Sequence, residues 1–423
     1  MTQVERYVYD LVKSKPWLKD FLRNVYQSVF DMLPRKKDWF ASEFQYKEHF
    51  FIGFHDVQPF SPDGTKLIAQ HADIEGRMPK ENDALHVGYF DFTDGQLGDF
   101  HPIADSFAWN FHKGCRLQWI DNTHILFNTR AKEKPFAVIY DVAQQKAVEL
   151  PYPIDSVCPR GKVATTQSYE RLEYLMPGYG YQYIKDEGYC EENAPTQTGL
   201  FLLDLQTQKR TLLFSMADMQ NDVTDLYPSA KQAFHYITHS SFSSDGRYIA
   251  CLHRFVQLSD LDARTTRLVI YDTTTKKRFT LPTEGMVSHY AWNTNNQIVA
   301  YCRINSMDRH ALFTIKDGQC VTAHLIAHDK INSDGHQSWL NARAFVTDTY
   351  PDKYRMAKLF IVDCENNDIK PIASIYSPKA FQTKNMYNHI ACDLHPRCSR
   401  NGEYVCFDSP RTGVRSLYLL KVN

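Results

Sequence analysis

The sequence lacks an excess of either charge: 48 Lys and Arg face 49 Asp and Glu, for a net charge of −1. No global field therefore draws the chain to nucleic acid or to an acidic surface. It lacks an apolar run long enough to span a bilayer. It begins with a charged stretch that has no continuous apolar core, unlike a signal peptide, and this predicts a cytoplasmic protein. The ten cysteines contain no CxxC pair. Cys251, Cys302, Cys392 and Cys406 fall in apolar runs, where a reduced thiol behaves as a small hydrophobe, so a disulfide scaffold is disfavoured. Also missing are GxSxG, a Walker loop, GxGxxG at a strand–helix junction and HExxH. Nucleophilic hydrolases, nucleotide enzymes and zincins thereby lose their sequence support.

What is present is a repeat. A turn signature reads SPDG at 61–64, SSDG at 243–246 and SRNG at 399–402, with degenerate copies at 119–122, 157–161, 292–296 and 339–343. Each is followed by an apolar run (KLIAQ, HILFN, YIACL, QIVAY, YVCFD) and then by a second run that ends in or near Asp (AVIYDV, RLVIYDT, KLFIVDC). Period-two alternation between Gly, Asn and Asp turns is the mark of a β-meander. Seven such units predict an all-β, seven-bladed β-propeller over residues 41–423. The chain ends on a third strand, so the segment around Phe44–Phe51 is expected to supply the missing outer strand and close the ring, which removes the exposed sheet edges. Residues 1–40 carry apolar positions at helical spacing. They predict a helical extension packed on the propeller, with an oligomer contact or a membrane-surface contact as further readings.

The register of the repeat carries the functional signal. Six residues before the turn residue, the seven units place Val57, Arg116, Ile154, His239, His289, His336 and His395. That position begins the innermost strand, at the rim of the central channel. Four histidines at one address predict a shared site, against the blander reading of separate structural histidines between blades. Gln337, beside His336, adds an oxygen donor; its bland reading is a strand-edge amide. The second strand returns to the same face and brings Arg130, Arg254 and Arg303, which predict an anion clamp unless each is spent on a neighbouring aspartate. Residues 168–199 form the largest insertion. With Tyr169, Arg171 and five further tyrosines it reads as a lid over that face. A second loop, 106–114, brings His112. Asp56 and Asp393 are expected either to orient histidines or to cap inter-blade turns. Asp348 and Asp408, at strand ends, give a weaker reading as hydrolase carboxylates.

The turn signatures, and above all DLHPRCSRNGEYVCFDSPRTGVRSLYLLKV at the C-terminus, resemble the TolB-type, WD40-like propeller repeat. More narrowly, HSSFSSDG at His239, DGHQSW at His336 and DLHPRCSRNG at His395 resemble propeller polysaccharide lyases, the oligogalacturonate lyases and more distantly the ulvan lyases. That resemblance implies a cytoplasmic enzyme whose manganese is held by three histidines and one glutamine. This chain departs from the pattern by spreading its histidines one to a blade. The resemblance leads to an expected lyase that cleaves a uronate-containing oligosaccharide by β-elimination, with a divalent metal such as manganese or zinc. The metal would be held by His239, His336, Gln337 and His395. His239, Tyr169, Arg254 and Arg303 would be catalytic, and Arg130, His112, Arg171 and His289 would bind substrate. The alternative is a non-catalytic propeller that binds an acidic glycan or a partner protein in polysaccharide biosynthesis.

Overall fold

The turn signature folds as its residue types dictate. In a computed structural model, which describes residues 30, 33–294, 297–383, 385 and 387–422, the Ser61 hydroxyl accepts from the Lys66 amide at 3.0 Å and donates to Asp63 at 2.6 Å. Ser243 with Asp245 and Ser399 with Asn401 repeat this arrangement. Gly64, Gly246 and Gly402 close these turns at φ near 70° (72°, 70° and 72°), a conformation glycine adopts without strain. The aspartate that ends each VIYD-type run is also a turn residue. The side chains of Asp141, Asp204, Asp272 and Asp363 each accept from the amides two and three residues on.

Between these turns the strands assemble into seven antiparallel sheets. Blades 1 to 6 follow chain order, with innermost strands at Phe50–Phe51, Gln118–Trp119, Ser156–Val157, Phe234–Phe242, Val287–Thr294 and Gln337–Trp339. Blade 7 has Arg397–Cys398, Tyr404–Ser409 and Ser416–Lys421, and takes its outer strand from Phe44–Glu48, paired Phe44 to Leu420. The expected closure is therefore present, within Phe44–Glu48. Trp39–Phe40 adds a fifth strand to blade 6 against Ser374 and Ala373, so the end of the expected helical extension is strand. Residues 33–38 carry no helix, and residues 1–29, 31 and 32 of that expectation lie outside the described residues. Among the described residues no helix is long and apolar enough to cross a membrane.

Because successive side chains on a strand face opposite sides, each strand feeds the seams on both of its flanks. Leu126 packs toward blade 3 while Phe127 packs toward blade 1. Every seam between adjacent blades has its own apolar cluster in this way. Cys251, Cys302 and Cys406 are members of these clusters, as buried hydrophobes.

The insertion after the second strand of blade 3 is built onto the ring. Ser168 caps a short helix, Tyr169–Leu175, by accepting from the Arg171 amide. Tyr169, Leu172, Leu175, Met176 and Tyr181 form an apolar cluster with Tyr236 and Val256 of blade 4. The buried Arg171 guanidinium donates to the carbonyls of His235, Gly188, Tyr189, Glu192 and Asn193. Arg171 thus staples the insertion to blade 4 with its donors consumed.

Candidate functional site

Two of the four histidines sit where the inner strand breaks regular pairing, and the other two, His336 and His395, lie one and two residues before theirs. His239 lies in a register shift between Thr238 and Ser241, and His289 in one between Val287 and Tyr290. Bulges of this kind redirect a side chain out of the ladder. His239 and His395 also adopt left-handed backbone, at φ 57° and 43°. For a non-glycine residue that costs of order 1–3 kcal/mol, and such strain concentrates at functional sites.

The rings converge. Ring centroids are 4.0 Å apart for His289 and His336, 4.3 Å for His336 and His395, and 6.3 Å for His239 and His289. Two further histidines join them. His55 is 4.9 Å from His289 and 5.2 Å from His336, and His112 is 5.0 Å from His395. His55 was invisible to the register because Val57 occupies the address in blade 1. It reaches the nest from a loop that turns at Gly53, φ 90°, where a Cβ would come within 2.8 Å of Gln70.

Neighbouring acceptors fix which nitrogen of each ring is free. Nδ1 of His395 is 2.9 Å from the Gly53 carbonyl, and Nδ1 of His336 is 2.9 Å from both Asp348 oxygens. An acceptor at Nδ1 places the proton there and leaves a lone pair on Nε2. Nδ1 of His289 pairs with Asp334 at 3.2 Å, and Nδ1 of His239 with the Thr238 hydroxyl at 2.7 Å. The Asp348 carboxyl also accepts from the His336 and His395 amides and is raised by burial to about 6. Burial holds His55, His112, His239, His336 and His395 well below the ordinary imidazole range, so they are neutral at neutral pH.

Nε2 of His336, Nε2 of His395 and both ring nitrogens of His55 and His112 are buried without a hydrogen-bond partner. Each such orphan costs about 1–3 kcal/mol. Several in one nest, in a fold of marginal stability, point to a ligand that is a Lewis acid. The donor atoms of His55, His239 and His289 lie within 4.8 Å of one another, as do those of His112, Asp393 and His395. Neutral imidazoles with oriented Nδ1 protons are what zinc, manganese, iron or nickel take, so the residues fit a divalent metal.

A cavity of about 530 Å³ opens beside the nest. His239, His289 and Asp334 form one wall, and Arg254, Arg264 and Arg303 line it with Tyr179 and Tyr350. Arg303 is spent on Asp308 (2.7 and 3.0 Å) and Arg264 reaches Asp262 at 3.3 Å. Arg254 differs: it is buried, its Nη1 points at the Met176 sulfur at 3.0 Å, and its Nε has no partner. It is the guanidinium left for an anion. Tyr179 comes from the insertion, with its ring 4.3 Å from His112 and 6.1 Å from His239. Burial pushes its phenol up, so it keeps its proton.

Of the residues read from the sequence, the structure brings together His112, His239, His289, His336, His395, Arg254 and Arg303. It does not bring four others. The Tyr169 hydroxyl is fully buried and donates to Ile154 and Asp155 at 2.9 and 3.0 Å. Arg171 is the staple described above. Arg130 donates to the carbonyls of Phe107, Lys132 and Glu81. Gln337 faces the other flank of its strand, where its Nε2 donates to Gly335 and lies 3.2 Å from His310. Of the aspartates, Asp56 grips Arg116 in a bidentate pair (2.6 and 3.0 Å), Asp408 accepts from the Ile52 amide, and Asp393 lies 3.9 Å from His112. His389, missed in the sequence, packs its ring 4.8 Å from His112.

No protein-family model and no curated protein matches the chain. Solved structures do. A structure of oligogalacturonate lyase from Vibrio parahaemolyticus matches at 12% identity and TM-score 0.58, over 92% of this chain and 99% of that one. A structure of oligogalacturonate lyase in complex with manganese matches at 12% identity and TM-score 0.61, with the same coverage. The tricorn protease matches at 12% identity and TM-score 0.50, over 92% of this chain and 34% of that one. The chain is thus a seven-bladed propeller similar in fold to oligogalacturonate lyase.

Proposed function

We propose that this protein is a metal-assisted lyase that cleaves a uronate-containing oligosaccharide by β-elimination at the mouth of the propeller channel. The observation that carries the reading is the nest of buried histidines with unpartnered nitrogens beside a cavity lined by Arg254. The fold likeness to a lyase structure solved with manganese supports it. His55 and His289 would hold the ion with His336, whose ring lies 4.0 Å from that of His289, while His239, whose donor atom is within 4.8 Å of those of His55 and His289, is kept as the base. A divalent cation bound there supplies positive charge against the substrate carboxylate.

The chain's own residues supply the rest. Arg254 binds the carboxylate, which acidifies the proton on the adjacent carbon, while Arg303 and Arg264 line the cavity paired to Asp308 and Asp262. His239 faces the cavity as a neutral imidazole and takes that proton. The electron pair becomes the new double bond as the glycosidic C–O bond breaks, and Tyr179 donates its proton to the departing oxygen. Tyr179 thus takes the role first read for Tyr169, and the insertion acts as a lid by supplying it.

The test is a panel of uronate oligomers incubated with the manganese-loaded protein, followed by the ultraviolet absorbance of the conjugated product. A rise with at least one oligomer is expected. His239→Ala and Tyr179→Phe should each slow turnover by roughly 10²–10⁴-fold while leaving the metal in place. No rise with any oligomer, with or without manganese, overturns the lyase; retained oligomer binding in that case points to the glycan-binding propeller.

A further inference from the structure

The nest holds more donors than a single ion uses. A catalytic ion takes three or so protein ligands, whereas six imidazoles and one carboxylate gather here. Their geometry divides them. His55, His239 and His289 form one group, with donor atoms within 4.8 Å of one another, and His112, Asp393 and His395 form a second under the same limit. His336 lies between the groups, 4.0 Å from His289 and 4.3 Å from His395 by ring centroids, with Nδ1 held by Asp348 and Nε2 unpartnered. The second group has its own signs of a missing ligand. Both His112 nitrogens and Nε2 of His395 are buried and unpartnered. Asp393 brings a carboxylate among them with no short hydrogen bond to an imidazole, its oxygen 3.9 Å from His112 Nδ1.

The surroundings divide in the same way. Beside the first group lies the 530 Å³ cavity with Arg254. Beside the second is a separate cavity of about 320 Å³ lined by Asp393, His389 and Cys392. Tyr179 and Tyr350 line both cavities and form the wall between them.

We propose that the propeller mouth is a two-metal centre, with a second divalent ion held by His112, His395 and Asp393 and with His336 between the two sites. This rests on the reading that the nest binds metal at all. The two cavities would then receive the sugar units on either side of the scissile bond, one beside each ion.

The full chain, stripped with chelator, reloaded with manganese and desalted, is analysed for metal per chain. Two ions are expected. His112→Ala and Asp393→Asn should each lower the count to one, with folding checked by circular dichroism; Asp393→Asn is the milder change should His112→Ala fail to fold. The partly exposed group His71, Asp73 and His86 is the competing site, so His86→Ala must leave the count at two. One ion in the unaltered chain, whichever variant removes it, overturns the second site and leaves the lyase reading standing. No ion overturns both. Two ions, one of them lost with His86→Ala, also overturn the proposal.

Discussion

The inner address of the repeat is used in opposite ways in the two halves of the ring. In blade 2 it holds Arg116, left-handed at φ 58° like His239 and His395, and every charge around it is answered. Arg116 pairs with Asp56 and lies 3.4 Å from Asp155. Asp155 takes Lys113 at 3.0 Å, the Tyr169 hydroxyl at 3.0 Å, and the amide and hydroxyl of Ser240 at 2.8 and 2.6 Å. In blades 4 to 7 the same address holds histidines, and the nest they build with His55 and His112 is left with unpartnered nitrogens. The left-handed backbone is shared by Arg116, His239 and His395; the Arg116 cluster closes its polar groups on itself, whereas the histidine nest, to which loops entering blades 1 and 2 contribute His55 and His112, keeps unpartnered nitrogens. An unsatisfied nest beside a satisfied network marks the site more sharply than either would alone.

The comparison breaks first, and hardest, at Asp155. Asp155→Ala leaves Lys113 buried without its counter-charge, and loss of one partner of a buried pair costs about 3–5 kcal/mol. Urea unfolding should show that loss; a change below about 1 kcal/mol would mean the cluster is not the closed network described. The histidine nest should respond less. His336→Ala removes an orphaned nitrogen along with the Nδ1 partner of Asp348, so the metal-free protein should lose less stability than Asp155→Ala does while its metal affinity falls.

A smaller effect sharpens the same contrast. Asp348 only orients His336 and His395, so Asp348→Asn should weaken metal binding by roughly 10–100-fold without abolishing it. Equal affinity in the variant would remove Asp348 from the site.

The smallest effect is a pH dependence confined to the insertion. Burial raises Glu173 from 4.5 to about 7. Its folded value lies above its unfolded one, so the folded insertion favours the protonated form. That stabilisation is complete below about pH 4.5 and is lost as pH rises toward 7. Hydrogen exchange over 168–199 should therefore accelerate with pH beyond the intrinsic rate, with Asp186, raised by burial to about 6, adding in the same direction, and Glu173→Gln should reduce the excess. An excess unchanged in the variant would assign the effect elsewhere.

The fold was legible because its determinants are local. Ser, Asp and Gly at the turns and the Asp that ends each third strand do the same job wherever they stand, and alternation sets the seams. The histidine register was legible for the same reason. The rest depends on direction. Gln337 is adjacent to His336, and strand alternation alone places the two on opposite flanks, a signal that was available. His55 escaped because a loop through Gly53 carries it in from two residues before the address. Tyr169 and Arg171 were drawn to the site by their place in a long insertion, yet helix Tyr169–Leu175 turns both inward to hold that insertion down. Tyr179, ten residues after Tyr169, is the phenol that reaches the cavity, and nothing in the local sequence separates the two.

The central claim is that His289 and His336, with His55, form a metal site. Calorimetric titration of manganese into the chelator-treated full chain tests it most directly. The account predicts saturable binding whose stoichiometry or affinity falls when His289 and His336 are replaced together by alanine in a chain that still folds. Absence of binding in the unaltered chain, or identical binding in the double variant, would contradict it.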